Sequence, residues 1–374
     1  MKNNFILIFP AIGKGGAERM ASNLVNYLSE NNYNVTIISL SEECDYSFLN
    51  FSTSVHVIHF PRKSRFDFSA FSAIQNIIIQ QNVKFVFCID FFAQLYMCLL
   101  RQNTKLTFKV VVNVHVTIPI VKKDYLINFL AARLLKHTDH IVFISKNQQA
   151  YLTLRFLLHS PCAKHLIYNG IDTNFYSLTD VQTRNTLRAD LLNIKDDRVV
   201  FIKVAGIRLE KDHETALRAL RFFIDKYSIE PLLVFAGDGK LNLTNTLKQL
   251  VKALGLTKNV IFTGFTQNVR EYLACADLFT LTSNSVETFS LAALEAMACG
   301  LPAVLTDIGG ASEMLNPKVN GLLTAPANYK DIAAKWHMAI TNNYDNTVIR
   351  NYIISNFDLS KMNSEYFMLF NEII

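Results

Sequence analysis

The feature that most limits how this chain can fold is the regular exchange of short, unbroken apolar runs for stretches with helical periodicity. Phe5–Phe9 reads as a strand and Gly16–Ser29 as an amphipathic helix. Asn34–Leu40 and Val55–Ile58 read as strands, followed by a helix over Phe66–Gln80. Phe85–Ile89, Phe108–Val114, Ile141–Ile144 and His165–Tyr168 continue the strands, with helices over 119–137 and Lys146–Leu157. The strands do not alternate apolar with polar residues, which is the pattern of parallel strands buried on both faces.

After Asn169-Gly170 the series restarts. Strands are expected at Val199–Val204, Leu232–Phe235, Val260–Phe262, Leu278–Leu281 and Ala303–Leu305. Helices are expected at His213–Tyr227, Leu241–Leu254 and Phe289–Ala298, the last stopped by Gly300-Leu301-Pro302. An aromatic-rich helix, Asp358–Ile374 with Tyr366, Phe367 and Phe370, ends the chain. With 374 residues, the chain exceeds what one core usually serves. The expectation is therefore two doubly wound α/β domains, 1–175 and 176–357, with 358–374 as a closing helix.

Half the residues are hydrophobic and 18% are charged, which excludes a disordered chain. The most apolar stretch, Phe85–Leu100, contains Asp90 and Gln94. Asp at the centre of a membrane helix costs about 2.5–3.5 kcal/mol, so a strand followed by a soluble helix is expected there. The opening MKNNFILIFPAIGKGG runs into glycines and charges without a small-residue cleavage site, and reads as a first strand rather than a signal peptide. Cys44, Cys88, Cys98, Cys162, Cys275 and Cys299 form no C-x-x-C pair and read as free thiols of a reducing cytosol.

Charge is uneven. Residues 1–170 carry 17 Lys+Arg against 9 Asp+Glu, and the rest carry 20 against 22. The basic residues of the first half are scattered (Arg62, Lys63, Arg65; Lys105, Lys109; Lys122, Lys123; Arg133, Lys136) and no nucleic-acid motif accompanies them. Anionic lipid or an acceptor phosphate is the better expected partner, beside a solvated surface with none.

In open parallel sheets ligands meet the carboxyl ends of strands, and four such junctions carry unusual residues. Gly13-Lys-Gly-Gly-Ala-Glu-Arg19 could bring backbone amides to an anion at a helix N-terminus, or serve chain geometry alone. In Ala205-Gly-Ile-Arg-Leu-Glu-Lys211-Asp-His213, Arg208 and Lys211 could converge on one phosphate, or pair with Glu210 and Asp212. Phe235-Ala-Gly-Asp-Gly239 is a glycine-rich strand end of low specificity. The strongest is Val286-Glu287-Thr-Phe-Ser-Leu-Ala-Ala-Leu-Glu295. On one helix, two acids eight apart lie about 12 Å apart along the axis and cannot share an atom. With Glu287 before the helix and Glu295 inside it, they can hold two ends of a long ligand. The amides of Phe289, Ser290 and Leu291 would face a phosphate between them. Glu295 amid apolar neighbours needs partners, either ligand hydroxyls or protein N–H groups.

The run ETFSLAALEAMACGLPAVLTDIGGASEM resembles the E-x7-E signature of retaining GT-B glycosyltransferases of the large family four. GKGGAER, Ile141–Ser145, Ile167–Asp172, Ala205–His213, Gly237–Gly239 and Asn259–Asp277 resemble successive parts of the same family, in order along nearly the whole chain. The resemblance implies a GT-B fold: two Rossmann-like domains facing across a cleft, the first for the acceptor, the second for the nucleotide-sugar donor, with the last helix crossing back to the first. It implies that Glu287 binds donor-sugar hydroxyls and Glu295 the ribose. Arg208 and Lys211 would hold the diphosphate, and Gly15 and Gly16 would close on donor and acceptor. Gly264 and Phe265 would lie near the base. His115, which otherwise reads as a structural strand-end residue, would lie near the transferred sugar. Thr288 stands where glycine is commonest in the family, and Asn284-Ser285-Val286 alters the usual spacing before Glu287; both bear on which sugar is read.

The implied activity is transfer of a hexose, with retention, from a UDP- or GDP-sugar to a saccharide or lipid-linked saccharide, in bacterial surface polysaccharide, lipopolysaccharide or other glycan synthesis. The implied place is the cytoplasm or the inner membrane face. No D-x-D triplet occurs, so neither a metal nor another cofactor is expected. A nucleotide-sugar epimerase of the same shape and a non-catalytic nucleotide-sugar-binding protein are the alternatives. A nicotinamide oxidoreductase is disfavoured by the absence of G-x-G-x-x-G followed by an acidic ribose ligand.

Overall fold

The computed structural model describes residues 3–13, 15–41, 51–64, 67–119 and 122–374, except for the Lys122 side chain. The readings made at Lys14, Cys44, Arg65 and Phe66 lie outside the described residues. The chain divides into two compact units, Met1–Gly170 with Leu359–Ile374, and Ile171–Asp358.

The first unit runs β1 (Asn3–Phe9), α1 (Gly16–Glu30), β2 (Tyr33–Ser39), β3 (His56–His59), α2 (Phe71–Gln80), β4 (Phe85–Ile89) and α3 (Asp90–Thr104). It continues through β5 (Lys109–Val114), α4 (Lys122–Arg133), β6 (His140–Phe143), α5 (Lys146–Leu152), a π-helical turn over Thr153–Leu157, and β7 (Ala163–Leu166). Its strands lie in the order β3-β2-β1-β4-β5-β6-β7, and all pairings are parallel. Alternate residues of one strand feed two cores. Ile6 and Ile8 join one; Phe5, Leu7 and Phe9 join the other. The second core is covered by α1 and by the chain's last helix, α14 (Leu359–Ile373). The Phe370 ring sits 5.1–5.3 Å from those of Phe5, Phe85 and Phe87. The first core is also fixed by Arg101, which grips both oxygens of buried Asp139 at 2.7 and 2.8 Å. Asp139 in turn accepts the amides of Val110 and Lys136, so this ion pair is satisfied and structural.

The second unit contains α6 (Val181–Leu192), β8 (Val200–Val204), a 3-10 turn over Leu209–Lys211, α7 (His213–Tyr227), β9 (Leu232–Ala236), α8 (Leu241–Ala253) and β10 (Val260–Gly264). It continues with α9 (Val269–Ala274), β11 (Leu278–Leu281), α10 (Leu291–Ala298), β12 (Ala303–Thr306), α11 (Ala311–Met314), β13 (Gly321–Thr324), α12 (Tyr329–Thr341) and α13 (Asn346–Phe357). The strand order is β10-β9-β8-β11-β12-β13, again all parallel. From α12, Trp336 packs 5.0 Å from Phe201 and donates its indole N–H to Thr280 Oγ1 at 2.9 Å.

Several boundaries differ from the sequence reading for local reasons. Helix α2 begins at Phe71 because the Asp67 carboxylate accepts the amides of Lys63 and Ser69 and holds a turn. Helix α10 begins at Leu291, not Phe289, because the Ser290 hydroxyl caps it by accepting the Ala293 amide at 3.2 Å. Helix α4 is Lys122–Arg133, shorter than 119–137. Helix α6 went unread because it is largely polar. It is held by an Asp180 cap and by Arg184 and Arg188 on Asp277 rather than by an apolar stripe. The five described cysteines are free and buried, and Cys44 is outside the described residues. Among the described residues no helix is long and apolar enough to cross a membrane.

Candidate functional site

Each sheet reverses its strand order once, between β1 and β4 in the first unit and between β8 and β11 in the second. The crevice beyond the carboxyl ends at such a reversal is where open α/β sheets bind ligands.

In the second unit the loops that follow β8 and β11 meet at this point. Asn284 donates its amide to the Glu210 carbonyl at 3.0 Å. Lys211 Nζ reaches Glu287 Oε2 at 2.7 Å, and the Ser283 hydroxyl donates to the same oxygen at 3.2 Å. The two side chains keep 22% and 14% of their exposure, so the pair is sheltered but open to a ligand. Glu287 is held from behind by Gly309, which adopts φ +57°. A Cβ there would stand 1.6 Å from the Glu287 carbonyl oxygen, so only glycine fits.

Beneath the Lys211 turn lies Lys203, fully buried on β8. Its ammonium donates to the carbonyls of Lys211 and Asp212 and to the Thr282 hydroxyl. Burial pulls it down to about 7, against the opposing attraction of Asp212. Asp212 itself caps α7 through the Thr215 amide. The glycine-rich end of β9 has a structural task here. Gly237, at φ +145°, lies so close to the Ala205 carbonyl that a Cβ would approach it to 2.3 Å. The Ile207 amide donates to the Asp238 backbone carbonyl. Burial lowers the neighbouring His213 to about 2, and its ring packs 5.0 Å from Phe235 as a neutral core group.

The expected residues are thus unevenly assembled. Lys211 and Glu287 are in contact. Arg208 is not drawn onto the same point: its side chain is 71% exposed and comes no closer than 4.0 Å to Glu210. Glu295 lies inside α10, 2% exposed. Phe289 and Ser290 precede the helix and are buried, Phe289 packing 5.7 Å from Phe357. The Ser290 cap takes the Ala293 amide, so the amides left at the helix start are those of Ser290, Leu291 and Ala292, two of them in the expected Phe289–Leu291 set. Gly264, at φ +72°, ends β10 and accepts the Gly237 amide; Phe265 beyond it is exposed.

In the first unit, Gly15 caps α1 and Gly16 is its first residue. The helix end already faces a carboxylate: Glu18 Oε1 accepts the Gly13 amide at 3.1 Å. At the end of β4, Asp90 adopts φ +62° and opens α3. Its Oδ1 accepts the amides of His115 at 2.7 Å and Val116 at 3.4 Å. Burial raises Asp90 to about 6, although these two bonds oppose it and Glu18 adds to it. His115, one step past β5, is lowered to about 4 by burial, and its Nε2 has no hydrogen-bond partner. A cavity of about 550 Å³ opens beside them, lined by Pro10, Asp90, Phe92, Pro119 and Ile127 among others.

Sequence reasoning missed Lys203, Asp90 and Ser283. Two signals were available. Lys203 is a single cation in an otherwise apolar strand, VFIKV, and Asp90 follows directly on the apolar run FVFCI. Among the described residues no group of three or more His, Cys, Asp or Glu side chains is gathered as a metal site would need.

Each half of the chain matches a family description: residues 14–175 match Glycosyltransferase Family 4, and residues 185–355 match Glycosyl transferases group 1. The N-acetyl-alpha-D-glucosaminyl L-malate synthase of Bacillus anthracis is 34% identical over 157 residues, 42% of this chain and 39% of that protein. The N-acetylgalactosamine-N,N'-diacetylbacillosaminyl-diphospho-undecaprenol 4-alpha-N-acetylgalactosaminyltransferase of Campylobacter jejuni is 25% identical over 333 residues, 85% of each. The match spans about half the length, or less, of the first curated relatives. The structure of Anabaena HepE with UDP has a TM-score of 0.83 at 19% identity, over 100% of both chains, and so shares the fold, that of the GT-B glycosyltransferases.

Proposed function

Given that the chain belongs to the glycosyltransferases of group 1 and family 4, we propose that it moves a hexose from a UDP- or GDP-sugar to a saccharide acceptor with retention of configuration. The observation that carries this is the sheltered Lys211–Glu287 pair at the second sheet's switch point. A cation beside a hydroxyl-accepting carboxylate suits a ligand in which phosphate adjoins a hydroxylated ring. Lys211 would turn to the pyrophosphate, joined by Arg208 and the amides of Leu291 and Ala292, and Glu287 would take sugar hydroxyls. Glu295 would hold the ribose, and Gly264 and Phe265 would border the base. His115, neutral above about pH 4, offers its unpartnered Nε2 to the transferred sugar. Gly15 and Gly16 would approach donor and acceptor.

In the step itself the bond from C1 to the phosphate oxygen breaks and a bond from C1 to the acceptor oxygen forms on the same face. The acceptor hydroxyl's proton passes to the departing phosphate. The cations and amides neutralise the charge that develops, so no metal or other cofactor is required. Support for a lipid-linked acceptor comes from the Campylobacter jejuni relative, whose name includes a diphospho-undecaprenol acceptor. Helix α4 adds support for contact with an anionic membrane, since Leu126, Phe129 and Leu130 are exposed on a segment that carries Lys123 and Arg133. Such a partner fits a place at the inner membrane face and a task in surface polysaccharide or lipopolysaccharide synthesis.

Thermal shift with UDP, GDP and their hexose conjugates tests the donor site, because a ligand that binds only the folded chain raises its melting temperature. No stabilisation by any of them defeats the proposal. NMR of the first product distinguishes retention from inversion. Donor incubated alone should yield no epimer. Pelleting with anionic vesicles at low salt tests the membrane contact.

A further inference from the structure

The first unit's cavity, about 550 Å³, falls within the range of small-molecule sites, and most of the wall is apolar. Its charged groups are Asp90, Asp124 and Arg62. Arg62 is already engaged: its Nε donates to the Leu40 carbonyl at 2.8 Å and its guanidinium lies 4.3 Å from the Phe92 ring centre. Asp90 is half engaged. Its Oδ1 carries the His115 and Val116 amides, while Oδ2 accepts no hydrogen bond among the described residues. The backbone at Asp90 is in the left-handed region, at φ +62°. Asp is among the few residues other than glycine that visit this region, and the Oδ1 bonds to the His115 and Val116 amides hold it there. That arrangement leaves Oδ2 unspent on a residue lining the cavity, at the strand-order reversal.

We propose that Asp90 reads the acceptor: its Oδ2 accepts a hydrogen bond from a hydroxyl of an uncharged pyranose ring lying in this cavity against Phe92 and Pro119. This rests on the glycosyltransferase reading and names the acceptor class for it. Asp90 brings an unspent carboxylate oxygen to the cavity, and the one arginine in the wall is occupied. An acidic sugar or a phosphate would thus meet Asp90 without a free counter-charge among the described lining residues. Any phosphate on the acceptor lies outside the cavity. The hydrogen bond is strongest to ionised Asp90, and burial holds that group near 6. The other groups facing it are Glu18 from α1, Arg62 from the segment before α2, His115 from the end of β5 and Asp124 from α4. His115 stays neutral through this range.

The test is ligand-observed NMR on the full chain with two classes of probe. The neutral ones are the p-nitrophenyl glycosides of glucose, galactose, mannose and N-acetylglucosamine, and the acidic one is p-nitrophenyl glucuronide. Wild type and Asp90→Asn are compared. Asn tolerates the same backbone and keeps the oxygen that holds the two amides, so the change is confined to Oδ2. Wild type should bind at least one neutral glycoside and reject the glucuronide. Asp90→Asn should weaken the neutral glycoside about tenfold. Wild-type affinity should fall between about pH 7.5 and pH 5, while the variant's stays flat. The proposal is overturned if no neutral glycoside binds, if the variant binds as wild type does, or if the glucuronide binds equally well. UDP titrated into the same samples separates the two readings: UDP bound with glycosides failing sinks only this one.

Discussion

The two sheets use the same topological position for opposite chemistry. Where β1 and β4 part, the first unit presents Asp90 with Glu18 near it. Where β8 and β11 part, the second presents Lys211, with buried Lys203 beneath and one carboxylate, Glu287, in contact. Net charge points the other way. Residues 1–170 carry 17 basic against 9 acidic groups, whereas the remainder carry 20 against 22. Net charge describes a surface, and a switch point takes its field from the few residues that loops deliver to it. The basic first half therefore does not imply an anion-binding pocket in that half.

A second contrast separates a buried, fully satisfied ion pair from one that keeps some exposure. Arg101 and Asp139 are 3% and 0% exposed, with every lone pair of the acid spoken for. Lys211 and Glu287 retain solvent and capacity. The largest expected effect comes from breaking the first kind. Arg101→Met leaves Asp139 charged and buried and should cost about 3–5 kcal/mol in denaturant unfolding. Donor-induced stabilisation of whatever remains folded should persist, and its loss would blur the contrast.

Lys211→Ala should lower turnover by about a hundredfold or more, with little loss of stability, as measured by steady-state kinetics and melting. A variant within about threefold of wild type would remove Lys211 from the chemistry. Arg208→Ala should cost less, about tenfold, because its exposed side chain must be recruited by the ligand.

Asp90→Asn sharpens the acidic side of the comparison. A carboxyl raised from 3.8 to about 6 favours the protonated folded state. Its stabilising effect is complete below the unfolded value and is lost as pH rises through about 6. The variant should therefore be more stable than wild type by up to about 3 kcal/mol at neutral pH, the difference closing toward about pH 4. A constant difference across that range would mean that Asp90 is not titrating. The smallest effect belongs to the exposed Glu214–Arg218 pair on α7, where Arg218→Ala should change stability by less than about 0.5 kcal/mol.

What could be read in advance follows from the range of each signal. His213–Tyr227 and Leu278–Leu281 match the structure residue for residue, since periodicity and caps are local. The helix expected at Phe289–Ala298 left Glu287 before it and Glu295 within it, and the observed helix, Leu291–Ala298, keeps that arrangement. Helix α6 lacked an apolar stripe and stayed invisible until Asp277 was seen to hold it. The helix start was read at Phe289, but the Ser290 cap moves it to Leu291, and the Phe289 side chain packs in the core.

By itself the amino-acid sequence determined two successive parallel α/β units, the glycine-rich junctions and the pair of acids, because all of these are written in neighbouring residues. Only the tertiary structure decided which charges meet. It set Lys211 on Glu287, buried Lys203 under the loop that carries Lys211, left Arg208 in solvent, and turned Asp90 from an interruption in an apolar run into the half-engaged acid of a cavity. Those meetings join loops from strands far apart in the chain. They depend on strand order and on how closely backbones approach at glycines such as Gly237 and Gly309, quantities that no local window of sequence contains.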